Sequence, residues 1–121
     1  MNVANIPMVT NALMNTTIRS PAIPLPNIYG YAVQAVYTGT PTGTLTLECS
    51  ADAFKYANDA QPQVPVNWDT ITDSPFTVTS AGIYVWNVTG CFYNFVRLVY
   101  TDASGGTSTA RLTAVINVKG P

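Results

Sequence analysis

Along most of this chain apolar and polar residues alternate with a period of two, the spacing that puts successive side chains on opposite faces of a β-strand. In Tyr29 to Tyr37 the positions Tyr31, Val33, Ala35 and Tyr37 share one face, with Ala32, Gln34 and Val36 on the other. Beyond the turn residues Gly39-Thr40-Pro41-Thr42-Gly43, Leu45, Leu47 and Cys49 point one way and Thr44, Thr46 and Glu48 the other. Phe76 to Thr79 predicts a short strand that ends at Ala81-Gly82. Ile83 to Thr89 sets Tyr84, Trp86 and Val88 against Ile83, Val85 and Asn87; bulk on both faces predicts a central strand. In Phe95 to Asp102, Val96, Leu98 and Tyr100 alternate with Arg97, Val99 and Thr101. The return strand, Thr107 to Lys119, turns Ala110, Leu112, Ala114, Ile116 and Val118 inward. Thr109, Arg111, Thr113 and Asn117 lie opposite, with Val115 the apolar exception. Between these last two strands, Asp102-Ala103-Ser104-Gly105-Gly106 reads as a hairpin turn.

Elsewhere the pattern fails. Met1 to Asn15 is apolar but irregular and reads as an arm or adhering segment. Pro21, Pro24 and Pro26 block regular ladder pairing, so Ile18 to Asn27 is expected to be an extended edge segment or connector. Ala51 to Asn67 is the longest loop, of a length that is uncommon unless contacts or function order it. No segment has a helical period. The fold predicted is all-β: an antiparallel, jelly-roll-like β-sandwich of about six to eight strands with an extended N-terminal arm. Residues 1–27 form the arm and Pro-rich connector, and residues 28–121 the sandwich domain.

Composition narrows the function. The 121 residues fit one domain, and 47% hydrophobic content supplies a core. Only 9% of residues are charged, with a net charge of −1. Arg19, Lys55, Arg97, Arg111 and Lys119 are dispersed, whereas a nucleic-acid groove gathers basic residues into a stripe. No run of about 20 apolar residues suggests a membrane helix. Met1-Asn2-Val3 opens no basic, then apolar, secretory signal, so synthesis in a cytoplasm is expected. Cys49 on a strand and Cys91 in a loop allow a bond across the sandwich, but a reducing compartment favours free thiols.

Candidate chemistry is sparse. The chain has no histidine, which removes the commonest general base and metal ligand together with the Ser-His and Cys-His nucleophile arrangements. Of the carboxylates, all but Glu48 fall in turns or loops, where Asp bonds its own backbone. Calcium binding by Asp52, Asp59 and Asp69 matches no compact cation loop. The reading is therefore non-enzymatic, with no cofactor and no metal. Tyr29, Tyr31, Tyr37, Tyr56, Trp68, Trp86 and Tyr93 offer sugar-stacking surfaces if exposed, although aromatics at period two are more often core. Tyr56 and Trp68, near the long loop, are the best placed for a glycan. Arg97 and Arg111, on the polar register of the two strands joined by the expected hairpin, either line one face toward acidic groups of a neighbouring subunit or are solvated cations. These four residues are the candidate contacts.

Four segments taken in order carry a family resemblance. They are Tyr31-Ala32-Val33-Gln34-Ala35-Val36-Tyr37, then Gly43-Thr44-Leu45-Thr46-Leu47-Glu48-Cys49-Ser50-Ala51-Asp52, then Asn67-Trp68-Asp69-Thr70-Ile71, and finally Tyr93 to Tyr100 with Ile116-Asn117-Val118-Lys119-Gly120. Together they resemble the small β-sandwich structural proteins of tailed-bacteriophage virions, over roughly Tyr29 to Gly120. The chain departs from that pattern at Ala53-Phe54, where the resembling turn has glycine, and in the long insertion through Pro65. The resemblance implies a virion component, made in the bacterial host cytoplasm, that decorates or cements the capsid. Its implied partners are the major capsid protein and copies of itself, trimers among them. The alternative is a phage tail or fibre part, or a glycan-binding sandwich.

Overall fold

A computed structural model describes residues 3–26, 28–53 and 64–120. Ten strands follow in order: β1 (Val3–Leu13), β2 (Ile18–Arg19), β3 (Ile23–Pro24), β4 (Gly30–Tyr37), β5 (Gly43–Ser50), β6 (Asp69–Thr70), β7 (Phe76–Val78), β8 (Gly82–Thr89), β9 (Phe95–Asp102) and β10 (Arg111–Lys119). One antiparallel sheet has the order β1-β10-β4-β8; the other runs β2-β9-β5-β6, with β3 also on β9 and β7 also on β5. β2 with β3, and β6 with β7, each act as one interrupted edge strand. The pairs β1 with β10, β2/β3 with β9, β4 with β8 and β5 with β6/β7 are then nested one inside the next. A long antiparallel hairpin rolled over on itself has this nesting, which makes the sandwich a jelly roll.

The faces follow the alternation. Tyr31, Val33, Ala35 and Tyr37 of β4 are buried, as are Leu45 and Leu47 of β5, Val96, Leu98 and Tyr100 of β9, and Leu112, Ala114, Ile116 and Val118 of β10. Trp86 belongs to the same core and donates its indole N–H to the Ser74 carbonyl at 2.8 Å. The Ser74 hydroxyl in turn accepts from the Leu47 N–H at 3.1 Å, tying the turn before β7 to the middle of β5. Among the described residues no buried side-chain nitrogen or oxygen lacks a partner, as a stable interior requires.

Four expectations change. The segment read as an arm is β1, an edge strand laid along β10 from Val3↔Lys119 to Leu13↔Arg111. Its register shifts between Pro7 and Val9 and again between Val9 and Ala12. These bulges break the period of two, so that the consecutive residues Met8 and Val9 are both buried. Asn11 sits at the second shift with φ 48, a left-handed conformation that Asn tolerates, and donates its N–H to Thr113 Oγ1 at 3.1 Å. Second, β8 is an edge rather than a central strand: among the described residues it pairs with β4 alone, and its face carrying Ile83 and Val85 looks to solvent. Third, Asp102 to Gly106 does not form a hairpin: it carries the chain from β9 in one sheet to β10 in the other. The Asp102 carboxylate organises that crossing by accepting the N–H groups of Ser104 at 3.0 Å and Gly106 at 3.1 Å. Fourth, as a consequence, Arg97 and Arg111 sit on different sheets and cannot line one face. The thiols of Cys49 and Cys91 are free, and burial raises both above the ordinary thiol range, which favours the protonated form.

Candidate functional site

Three regions collect the side chains able to meet a partner. The first is on the outer side of β5 and β9. Register places Glu48 directly opposite Arg97, and both Nη2 and Nε of the guanidinium approach one carboxylate oxygen, at 2.6 and 2.7 Å. The Trp68 ring lies over the guanidinium, 4.1 Å from its carbon to the ring centroid, and its indole N–H donates to the Pro65 carbonyl at 3.2 Å. Two sequence candidates, Trp68 and Arg97, thus meet each other. One face of the indole and the charge of the guanidinium are engaged within the subunit.

Next to this cluster, Asp52 clips the base of the long loop. Its carboxylate accepts the N–H of Val66 at 2.7 Å, the N–H of Asn67 at 3.1 Å and the side-chain amide of Asn67 at 2.9 Å. The Asn67 side chain, followed by the two backbone donors, holds the acid below the usual carboxylate range. Asp52 is therefore a structural fastener. Asp69 is likewise engaged locally, accepting the N–H of Thr70 at 3.0 Å. Tyr56 and Asp59 lie outside the described residues. Among the described residues no three His, Cys, Asp or Glu side chains gather where a metal ion would need them.

The second region is the outer face of the β1-β10-β4-β8 sheet. Its rows pair Asn5, Asn117, Ala32 and Asn87, then Pro7, Val115, Gln34 and Val85, then Thr113, Val36 and Ile83. Charge is confined to the ends of β10, at Arg111 and Lys119. Arg111 is exposed there and donates to the Asn11 carbonyl at 3.1 Å. The middle of the sheet is amide, hydroxyl and aliphatic.

The third region is a groove of about 690 Å³ at one end of that face. Gly30 and Ala32 keep its floor low, Asn87, Asn117 and Lys119 provide polar groups, and Tyr29 and Phe92 are among its walls. Phe92 is 95% exposed and Tyr29 66%. Beneath it Tyr31 and Tyr93 hold their hydroxyls 2.6 Å apart with the rings edge to face. Burial first, and then the hydrogen bond shared with Tyr93, push Tyr31 far above the ordinary tyrosine range. Sequence reasoning had Tyr29 as a stacking candidate but missed Phe92. The signal available was an aromatic residue two positions past Gly90 (φ 67), outside any alternating run.

Neither a protein-family model nor a curated protein matches the sequence. Solved structures do match the fold. The SPBc2 prophage-derived protein YomS aligns with a TM-score of 0.59 at 9% identity, over 97% of this chain and 92% of that one. The CBM36-1 domain of a multidomain xylanase from the hindgut metagenome of Trinervitermes trinervoides gives 0.50 at 10% identity, over 99% and 98%. PirA gives 0.50 at 15% identity, over 97% and 93%. At such identities the likeness is one of fold: the chain is an all-β antiparallel sandwich whose fold matches that of a prophage-derived protein over 97% of its length.

Proposed function

We propose that this chain is a virion structural protein that decorates or cements the head of a tailed bacteriophage. The observation that carries the reading is the broad outer face of the β1-β10-β4-β8 sheet, uncharged between Arg111 and Lys119. Burying such a face against a protein lattice desolvates amides and hydroxyls that find new partners, and no bare ions. The order of motifs that resembles phage sandwich proteins supports the same reading, as does a full-length fold likeness to a prophage-derived protein. Chemistry fits as well, since the Glu48–Arg97 pair and Asp52 are tied up within the subunit.

Cosedimentation with mature phage heads stripped of the protein tests this, at moderate and high salt. Saturable binding that survives salt is the expected result, because apolar and backbone contacts are not screened. Heads that bind nothing, or lose the protein as salt rises, would refute the head-surface role and move it to a tail or fibre part.

The groove between Tyr29 and Phe92 favours a second reading, a glycan-binding sandwich. A sugar ring has an apolar face to stack on an aromatic and hydroxyls for Asn87 and Asn117, and the groove supplies both kinds of partner. Under this reading Phe92→Ala weakens sugar binding by roughly fivefold or more, the loss of about 1 kcal/mol of stacking. Trp68→Ala leaves it unchanged, because Trp68 is not among the residues that line the groove. A glycan array that stays silent at high protein concentration rejects this alternative.

A further inference from the structure

Three of the four free sheet edges are blunted by the means proteins use to prevent strand addition. β1 carries Pro7 and two register shifts. β2 and β3 are two residues each, with Pro21 between them and Pro24 within β3. β6 and β7 are two and three residues long and are separated by a turn that ends in Pro75. The fourth edge differs. β8 runs straight for eight residues, in unbroken register with β4 from Gly82↔Tyr37 to Thr89↔Gly30. It contains no proline, no bulge and no charged residue. Its solvent face shows Ile83 at 64% and Val85 at 47% exposure. No strand among the described residues pairs with its free side.

We propose that this edge is a self-association site, where β8 pairs antiparallel with β8 of a second copy about a two-fold axis. Two four-stranded sheets would then join into one of eight strands. The choice of a second copy rests on charge. Two-fold pairing sets a strand against its own sequence, so any charge near the axis would face its like across the ladder; β8 carries none. A foreign strand places no such demand, and charges on the edge would help select it. The Ile83 and Val85 side chains of both copies would come together on one face, removing apolar surface at the same step as the backbone groups pair. The result is a two-fold pair rather than the trimer that the phage resemblance implies. The inference is independent of where the protein resides.

Sedimentation equilibrium of the full chain, from about 1 μM to about 1 mM, spans the affinities that a single strand-pair interface gives. A monomer–dimer equilibrium is expected, with β8 amides in the dimer exchanging with solvent more slowly as concentration rises. Val85→Lys is expected to weaken dimerisation by at least about tenfold, equivalent to roughly 1.4 kcal/mol. Asn87→Lys, also exposed on β8, should do the same, which guards against a folding defect in either variant. Gln34→Lys adds the same charge to the same sheet face on the interior strand β4 and leaves the dimer intact. A monomer throughout, a trimer, or a dimer indifferent to both β8 lysines would overturn the proposal. Head binding by the wild-type chain is scored separately, so either idea can fail alone.

Discussion

Gly43→Ala is expected to be among the most damaging single substitutions in this protein, despite adding one methyl group. Gly43 opens β5 and is flanked on both sides, by Val78 of β7 and by Asp102 of β9. A Cβ there would press into the Thr101 carbonyl oxygen and come within 2.7 Å of the Tyr100 hydroxyl and 2.8 Å of its ring. Neither obstacle can yield cheaply. The carbonyl is backbone in the neighbouring strand, and Tyr100 is fully buried with its hydroxyl donating to the Thr42 carbonyl at 3.0 Å. Overpacking of this kind costs about 3 kcal/mol, at the upper end of its usual range. In a domain of this size that lowers Tm by roughly 10 °C. Gly90→Ala is the comparison: its φ of 67 strains an alanine, but nothing lies within 4 Å. A cost of about 1 kcal/mol is expected there. Guanidinium unfolding of both variants decides the matter, and a Gly43→Ala loss no greater than that of Gly90→Ala would show that the β5–β9 junction relaxes.

Stability as a function of pH should show a plateau with one steep side. The chain has no histidine, so no ordinary side chain titrates between about pH 5 and 8, and a flat Tm is expected there. On the acid side, Asp52 is held below the usual range chiefly by the Asn67 side-chain amide and the Asn67 and Val66 N–H groups, and Asp102 chiefly by the Ser104 side chain and then its N–H. Their contribution is complete above the unfolded value of about 3.9 and is lost as pH falls through the lower folded value. The alkaline side carries the larger effect. Tyr31, Tyr37, Tyr93 and Tyr100 are all raised, in each case chiefly by burial. A tyrosine raised in the folded state stabilises it fully below the unfolded value of about 10, and that stability drains away as pH climbs toward the folded value. Tyr31, pushed furthest above the ordinary range, is expected to approach the single-proton limiting slope of about 1.4 kcal/mol per pH unit above about pH 10. The raised thiols of Cys49 and Cys91 start the decline slightly earlier, near the unfolded thiol value of about 8.5. Denaturant midpoints between pH 8 and about pH 11.5 test this. Tyr31→Phe should flatten the alkaline slope, and an unchanged slope would mean that the phenol is not sequestered.

Much of the architecture was legible in the residues because burial on one face writes itself into a period of two. β4, β5 and β10 each bury one face and leave the other partly or fully exposed, and β9 buries the same inward register together with Phe95 and Val99 of its second face. Their inward residues, from Tyr31 to Val118, were therefore readable one strand at a time. Where the reading failed, the deciding fact lay elsewhere in the chain. Met8 and Val9 are adjacent and both buried because β1 bulges against β10, and no local pattern announces a bulge whose partner is about a hundred residues away. β8 has the bulk of a central strand; it is an edge because β4 has β10 on its other side and no strand among the described residues pairs beyond β8. The turn at Asp102 has the same chemistry whether the chain doubles back or crosses the sandwich. What selects crossing is that β5 pairs with β9 while β4 pairs with β10.

The candidate contacts divide in the same way. That Arg97 and Glu48 are polar-side residues was evident from the sequence alone, but that they pair with each other and that Trp68 lies over Arg97 required the register of β5 on β9 and the clip of Asp52 on Val66 and Asn67. Phe92 and Tyr29 meet around one groove because β4 and β8 are neighbours, although the two residues stand far apart in the chain. Alternation is a property of single strands and is carried by neighbouring residues. Pairing, edges and grooves are properties of strands brought together, and only the tertiary structure supplies them.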